Sequence, residues 1–187
     1  MSHAGPDDAA ESTTVLARES LGNWLEPGRS ADDALRHTTS RGRDVPSKGM
    51  AWAASRDLVE RHGFYDACII GGGANALACA ALGTYDYAIR PHQMNDRQRE
   101  HYLAWAEPFH RAVQGAISCI DGDVYHLWHG DLADRNGSGR HKGLVPFEFD
   151  PAVDIAVAEA GCWKWAGKKR DMHRYVRDYF AGRKEDG

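Results

Sequence analysis

The sequence predicts an α/β fold in which several helices cover a small mixed sheet. Apolar residues recur at helical spacing in several segments, most clearly near the C-terminus at Met172, Val176 and Phe180. Short apolar runs that lead into glycine or Asp-Gly stand between these segments, and such runs are typical of strands. The 187 residues, 42% of them apolar, are enough for one domain with a real core.

Glycines punctuate the first half of the chain. Gly63 and Gly83 each follow an apolar-periodic segment, where helix-terminating glycines belong. The elements expected in this half are a short helix at Ala31–Arg36 within a polar loop, a helix at residues 51–62, a strand at residues 64–70 and an alanine-rich helix at residues 75–82.

Caps and turn residues divide the second half. Asn95 or Asp96 can cap a helix that Pro108 should kink or break. Asp121-Gly122 is a hairpin signal between two apolar runs. The expected elements are a helix at residues 97–113, strands at residues 116–120 and 124–128, a helix at residues 150–159 and a helix at residues 170–183.

Composition excludes several classes of protein. The net charge of −4 argues against a general nucleic-acid binder, which usually carries a basic field. None of the four cysteines forms a CxxC pair, so a zinc ribbon is not expected. The acidic N-terminus lacks the apolar core of a signal peptide, and no apolar run reaches the ~20 residues of a membrane span. We therefore expect a cytoplasmic chain with free, mostly buried thiols.

Three consecutive glycines, Gly71-Gly72-Gly73, precede the alanine-rich helix. Glycine lets a backbone approach a ligand closely, and a helix N-terminus favours anions. The run does not match the dinucleotide fingerprint GxGxxG, so a Rossmann site is rejected. A tight strand-to-helix turn without a ligand explains the glycines equally simply, and both interpretations stay open.

The run His126-Leu127-Trp128-His129-Gly130-Asp131 is the second candidate site. In a strand His126 and Trp128 would share one face, and His129 would start the next loop. Imidazole and carboxylate ligands suit Mn²⁺ or Mg²⁺, and arginines suit phosphate. The alternative is a pair of partly exposed histidines beside a packed tryptophan. The charged residues that follow the run are Asp134, Arg135 and Arg140.

Other motifs carry less chemistry. Asp121-Gly122-Asp123 has the letters of a DxD metal motif, but a hairpin turn favours the same residues. The two histidines are not spaced as in HExxH, and no GxSxG occurs. Trp52 and Trp105 have apolar neighbours at helical spacing and are expected in the core, whereas Trp128 is expected in the site.

Several of these pieces occur together in one known group of enzymes. The pieces, in chain order, are Gly49-Met50-Ala51-Trp52-Ala53-Ala54, Gly63-Phe64-Tyr65-Asp66, Gly72-Gly73-Ala74-Asn75, His126 or His129, and Arg135 with Arg140. From about Gly49 to Arg183 the chain resembles the acceptor half of GT-A glycosyltransferases, such as the polypeptide N-acetylgalactosaminyltransferases and β-1,4-galactosyltransferases. The segment from Phe149 resembles bacterial and phage members of the family-two-like group.

The resemblance implies a partial GT-A-like (nucleotide-diphospho-sugar transferase) fold, with residues 1–48 as a flexible segment and loop and residues 49–187 as an acceptor and metal domain. Two departures stand out. Ala74 occupies the position of the family carboxylate that contacts the acceptor and, in inverting members, acts as general base. The nucleotide-binding half with its true DxD motif has no counterpart in residues 1–48.

The resemblance also implies a function and a set of site residues. The expected function is transfer or binding of a sugar from a nucleotide-sugar, to a glycan or other hydroxyl acceptor, with Mn²⁺ or Mg²⁺. A separate nucleotide-binding chain is a further expected partner. The alternatives are a non-catalytic remnant or carbohydrate-binding module and, further off, a metal-dependent hydrolase. The site residues are Ala74 (degenerate) and Asn75 for catalysis, Gly72, Gly73, Trp128, Asp131, Arg135 and Arg140 for the substrate, and His129 and His126 for the metal.

Overall fold

The computed structural model describes residues 19–25, 28–36, 46–48, 51–124, 134–137 and 139–185. Over these ranges the chain is mainly helical, with a 3₁₀ turn at Val145–Phe147. None of the helices in these ranges combines the length and the apolar character that a membrane crossing requires. The helices are α1 Leu21–Leu25, α2 Ala31–Arg36, α3 Arg56–His62, α4 Gly73–Leu82, α5 Asp86–Ile89, α6 Asp96–Val113, α7 Gly139–Leu144, α8 Pro151–Asp154 and α9 Arg170–Ala181.

Two short strands form the sheet of the described ranges. β1, Ile155–Val157, pairs antiparallel with β2, Trp163–Trp165, and Ile155 lies opposite Trp165. Helices and a sheet therefore occur together, as the α/β class requires. The mixed sheet that the sequence predicted is not seen in the described ranges, because these two strands pair only with each other.

The centre of the core is the contact between α4 and α6. Four alanines of α4 are almost fully buried, and their small side chains let α6 approach closely: Ala76, Ala78, Ala80 and Ala81. Tyr102 of α6 is fully buried there, and its hydroxyl donates a hydrogen bond of 2.8 Å to the Ala76 carbonyl oxygen. Trp52 and Trp105 are half-buried and pack against this core, as the sequence predicted.

The described part of residues 1–48 also contributes to the core. Leu21 of α1 and Ala34 and Leu35 of α2 are buried in the same apolar cluster. Ser20 and Ser47 form an isolated parallel bridge that brings Lys48 toward the core. The predicted division of the chain at residue 48 remains a prediction.

Five predicted helices are found, four of them close to their predicted bounds. α2 matches its prediction, α4 starts two residues earlier than predicted, α6 starts one residue earlier, and α9 ends two residues earlier. The helix predicted at residues 51–62 is shorter because Ser55 caps α3 by accepting from the Leu58 amide. α6 begins at its predicted cap, Asn95, but it continues through Pro108 without a break.

Two predicted strands are not strands. Residues 64–68 have no regular structure, and a turn follows in which the Ile69 and Gly71 amides donate to the carbonyls of Ala67 and Cys68. No described segment pairs with them, so their apolar side chains enter the core from an irregular backbone. Residues 116–120 also form no strand with any described segment. Most of the partner strand predicted at residues 124–128 lies outside the described residues.

The predicted helix at residues 150–159 is mostly wrong. Asp150 does cap a helix, but α8 ends at Asp154 and the chain turns into β1. Isoleucine and valine in β1 favour a strand, and the exposed Trp163 and Trp165 of β2 supply its partner.

Candidate functional site

The three glycines form a sharp turn at the start of α4. Gly71 and Gly72 have φ values of 88° and 98°, which side chains rarely tolerate. A Cβ atom on Gly72 would lie only 2.5 Å from Nε2 of His92. Glycine is therefore required at this position both by the backbone conformation and by the close approach of the imidazole.

Arg140 meets this turn from α7. Its guanidinium carbon would lie 3.6 Å from a Cβ on Gly71. Nη1 of Arg140 donates 3.0 Å to the Tyr179 hydroxyl of α9, and Nε donates 3.3 Å to Nε2 of His141. The fold thus brings together two segments far apart in sequence, and we call Gly71, Gly72, His92, Arg140 and His141 the glycine-turn site.

The two histidines of the glycine-turn site stack face to face. Their ring centroids are 4.5 Å apart and their planes differ by 12°. Burial, helped by the charges of Arg140 and Lys48, lowers the pKa of His92 to about 4. Burial, helped by His92 and Arg140, lowers the pKa of His141 to about 3. Both rings are therefore neutral at physiological pH.

A pocket opens beside the two histidines. Its cavity volume is about 20 Å³, room for about one water molecule, and Ile70, Met94 and Leu144 form part of its wall. None of the described carboxylates lines it. The Cys68 thiol also faces the pocket, but burial raises its pKa to about 12, so it is protonated and a poor nucleophile.

The predicted catalytic pair lies beside the turn in α4. Ala74 is exposed and carries no acid–base group. Asn75 is held on both sides, because its Oδ1 accepts from Nζ of Lys48 at 2.8 Å and its Nδ2 donates to the Tyr87 carbonyl at 2.9 Å. In this conformation the Asn75 side chain joins α4 to the N-terminal segment and to α5.

The remaining predicted residues fall into two groups. Arg135 lies near Arg140, since the Tyr179 hydroxyl donates to the Arg135 carbonyl at 3.5 Å while it accepts from Arg140. The predicted metal ligands and two of the substrate residues lie outside the described residues: His126, Trp128, His129 and Asp131.

Sequence reasoning missed the two stacked histidines. His92 and His141 stand in no recognisable spacing, and the count of ten histidines was the only signal. A stacked pair with an arginine against one ring is a poor cation site, since the guanidinium repels a metal. Within the described ranges no group of three or more His, Cys, Asp or Glu residues could hold a metal ion.

Comparisons of the chain with known protein families, with curated proteins and with solved structures find no match. What the site can do is therefore argued from its own geometry. That geometry combines a helix N-terminus without an acidic residue, a guanidinium group, two neutral imidazoles and an apolar pocket.

Proposed function

We propose that this chain is a glycosyltransferase-like protein that binds a nucleotide-sugar and a hydroxyl acceptor at the glycine-turn site. One observation carries the proposal. Arg140, which the sequence assigned to phosphate, comes from α7 and lies against Gly71, which precedes Gly72 and Gly73 in the chain and lines the pocket.

The pocket is small, and it supplies no strong base. Apolar walls and a few polar groups at one end are usual for small-molecule sites. An acceptor hydroxyl needs a general base, and the described residues that line the pocket include no carboxylate. A neutral imidazole with a pKa near 4, such as that of His92, is a weak base at pH 7. We therefore propose slow transfer, or binding without transfer, by this chain alone.

The proposal includes a divalent cation and a second chain. His129 and His126 are the proposed ligands of Mn²⁺ or Mg²⁺, and such a cation would neutralise charge on the leaving diphosphate. A separate nucleotide-binding chain would supply the half that the resemblance predicts and residues 1–48 do not provide. The non-catalytic remnant is the second candidate, and exposed Ala74 with no neighbouring carboxylate in the first turn of α4 favours it.

The first experiment measures sugar-nucleotide turnover by the purified chain, with and without Mn²⁺, beside Ala74→Asp and His129→Ala. We expect little turnover by the native chain, since a positioned base contributes roughly 10²–10⁴-fold. Activity that appears in Ala74→Asp and falls in Ala74→Asp/His129→Ala would support a silenced transferase with a metal at His129.

Two results would contradict parts of this proposal. Rapid transfer by the native chain would mean that a base other than residue 74 acts, and the remnant interpretation would be wrong. Identical Mn²⁺ titration curves for the native chain and His129→Ala would remove the metal assignment. If neither the native chain nor any variant binds a sugar nucleotide, alone or with a nucleotide-binding partner, the glycosyltransferase proposal fails.

A further inference from the structure

The start of α4 has backbone donors without acceptors. The first hydrogen bond of the helix runs from the Ala76 amide to the Gly72 carbonyl, so the amides of Gly73, Ala74 and Asn75 have no partner among the described residues. No side chain caps the helix, and no acidic residue stands in its first turn. The N-terminus of this ten-residue helix therefore presents uncompensated positive charge.

His92 supplies an independent observation at the same place. It is only 8% exposed, and its Nε2 is the side-chain atom closest to the Cβ position of Gly72. Neither ring nitrogen makes a hydrogen bond within the described residues; the ring contacts the face of His141. The N–H of this largely buried ring is therefore free to donate a hydrogen bond to a ligand that offers an acceptor.

Arg140 adds a full positive charge. It forms no ion pair with any described carboxylate; its partners are the Tyr179 hydroxyl and Nε2 of His141. Its Nη2 lies 3.6 Å from the Cβ position of Gly71, on the side of the glycine turn. The charges that act on His92 come from Arg140 and Lys48, both positive. An arginine so placed is typical of oxyanion recognition.

We propose that the glycine-turn site binds one phosphoryl group, held by the free amides of α4, the N–H of His92 and the guanidinium of Arg140. The sequence assigned phosphate to Arg135 and Arg140 and left an anion at the glycine run as one of two open interpretations; the new assignment is His92, acting together with the α4 N-terminus. The phosphate site rests on the proposed function, because that function supplies the phosphorylated ligand. It requires no sugar transfer.

A phosphoryl group suits these donors better than the other ligand classes do. A cation would be repelled by Arg140 and by the helix dipole. A neutral sugar hydroxyl would leave the guanidinium without a counter-ion. A phosphoryl group offers several acceptor oxygens on different sides, which matches donors that come from a backbone, a ring and a guanidinium.

The test is calorimetric titration of the full chain with inorganic phosphate and with diphosphate, and with acetate as a carboxylate control. The variants are Arg140→Gln, Ala74→Asp and the matched control Arg56→Gln, which removes an arginine 88% exposed at its side chain. We expect saturable binding by the native chain, a loss of roughly tenfold or more in Arg140→Gln and no loss in Arg56→Gln.

The Ala74→Asp variant keeps the test decisive even if Arg140→Gln fails to fold. Residue 74 is exposed, and an aspartate in the first turn of a helix is favourable for folding. Its carboxylate would compete with phosphate for the amides of α4, so we expect weaker phosphate binding in a stable protein. Histidine resonances give a second readout, because bound phosphate should raise the pKa of His92.

Absence of saturable phosphate or diphosphate binding by the native chain would overturn the proposal. So would equal phosphate affinities in the native chain and in the Arg140→Gln and Ala74→Asp variants. Acetate binding as tight as phosphate binding, or a His92 pKa that phosphate leaves unchanged, would also overturn it. These outcomes are separate from those of the transfer assay. Phosphate binding without turnover would keep this site and remove the transferase. Turnover that Arg140→Gln leaves intact would keep the transferase and remove this phosphate site.

Discussion

Gly72 shows how one residue can hold a site together. Its φ of 98° places it in the left-handed region, and the imidazole of His92 occupies the space where a side chain would lie. The first requirement is local to the backbone. The second arises only because α5 and the turn after it bring His92 against the start of α4. The two requirements can be separated by experiment.

We expect Gly72→Ala to lower the free energy of unfolding by about 2–4 kcal/mol, from backbone strain and the clash with His92. The matched control is Gly161→Ala, where φ is 79° but a Cβ would meet no atom within 4 Å. Strain alone should reduce its stability by about 1 kcal/mol. Chemical denaturation of both variants measures the difference.

The double variant Gly72→Ala/His92→Ala isolates the clash. Once the imidazole is removed, the methyl group introduced at position 72 has room, so the double variant should be more stable than the sum of the single changes implies. Strict additivity, or equal losses in Gly72→Ala and Gly161→Ala, would mean that His92 does not restrict this position.

At the scale of elements, a buried ion pair joins the short C-terminal elements. Asp154, at the end of α8, is 1% exposed and accepts from the Asp150 amide at 2.8 Å. Nζ of Lys169, just before α9, donates 2.7 Å to Asp154 and 2.7 Å to the Glu148 carbonyl. The β1–β2 hairpin lies between Asp154 and Lys169 in the chain, so this pair closes it against the helices.

We expect Lys169→Met to destabilise the chain by about 2–3 kcal/mol, because it leaves the buried Asp154 carboxylate without a counter-ion. The figure is below that for a fully buried pair, since the Lys169 side chain is 38% exposed. Lys164→Met, on the exposed strand β2, is the matched control and should change stability by less than about 0.5 kcal/mol. Thermal and urea unfolding measure both variants. Similar losses of stability would show that the Asp154–Lys169 pair does not hold the β1–β2 hairpin against the helices.

The element scale also shows what sequence pattern could and could not predict. α2, α4, α6 and α9 were predictable because the Asn95 cap, the terminating Gly83 and the apolar spacing are local in sequence. The supposed strand at residues 64–70 was not, because an apolar run has the same composition whether or not a partner pairs with it. The β1–β2 hairpin was missed because Pro151 and its cap suggested a longer helix.

At the scale of the whole molecule, the free energy of unfolding should depend on pH through the two stacked histidines. Folded His92 and His141 stay neutral down to pH values of about 4 and about 3. In the unfolded chain each takes up a proton below about pH 6.5. The unfolded state thus binds more protons in this window, so stability is fully present above pH 6.5 and is lost as the pH falls toward 4.

The expected loss between pH 7 and pH 4.5 is on the order of 2 kcal/mol for each of the two rings. Urea unfolding at several pH values measures it. The matched variant is His141→Gln, which removes one titrating ring and should flatten the pH dependence. A native chain equally stable at both pH values, or a variant with the same slope as the native chain, would mean that these rings are not buried in neutral form.

The sequence by itself determined the helices that carry their own caps, the glycine run at the start of α4 and the candidate role of Arg140. These depend on short-range backbone preferences and on the chemistry of single side chains. Only the tertiary structure decided that Arg140 meets the glycine turn and that His92 stacks on His141. It also decided that Asn75 bonds to Lys48. The physical reason is that burial and contact between distant segments depend on how α4, α6, α7 and α9 pack, and no local pattern encodes that packing.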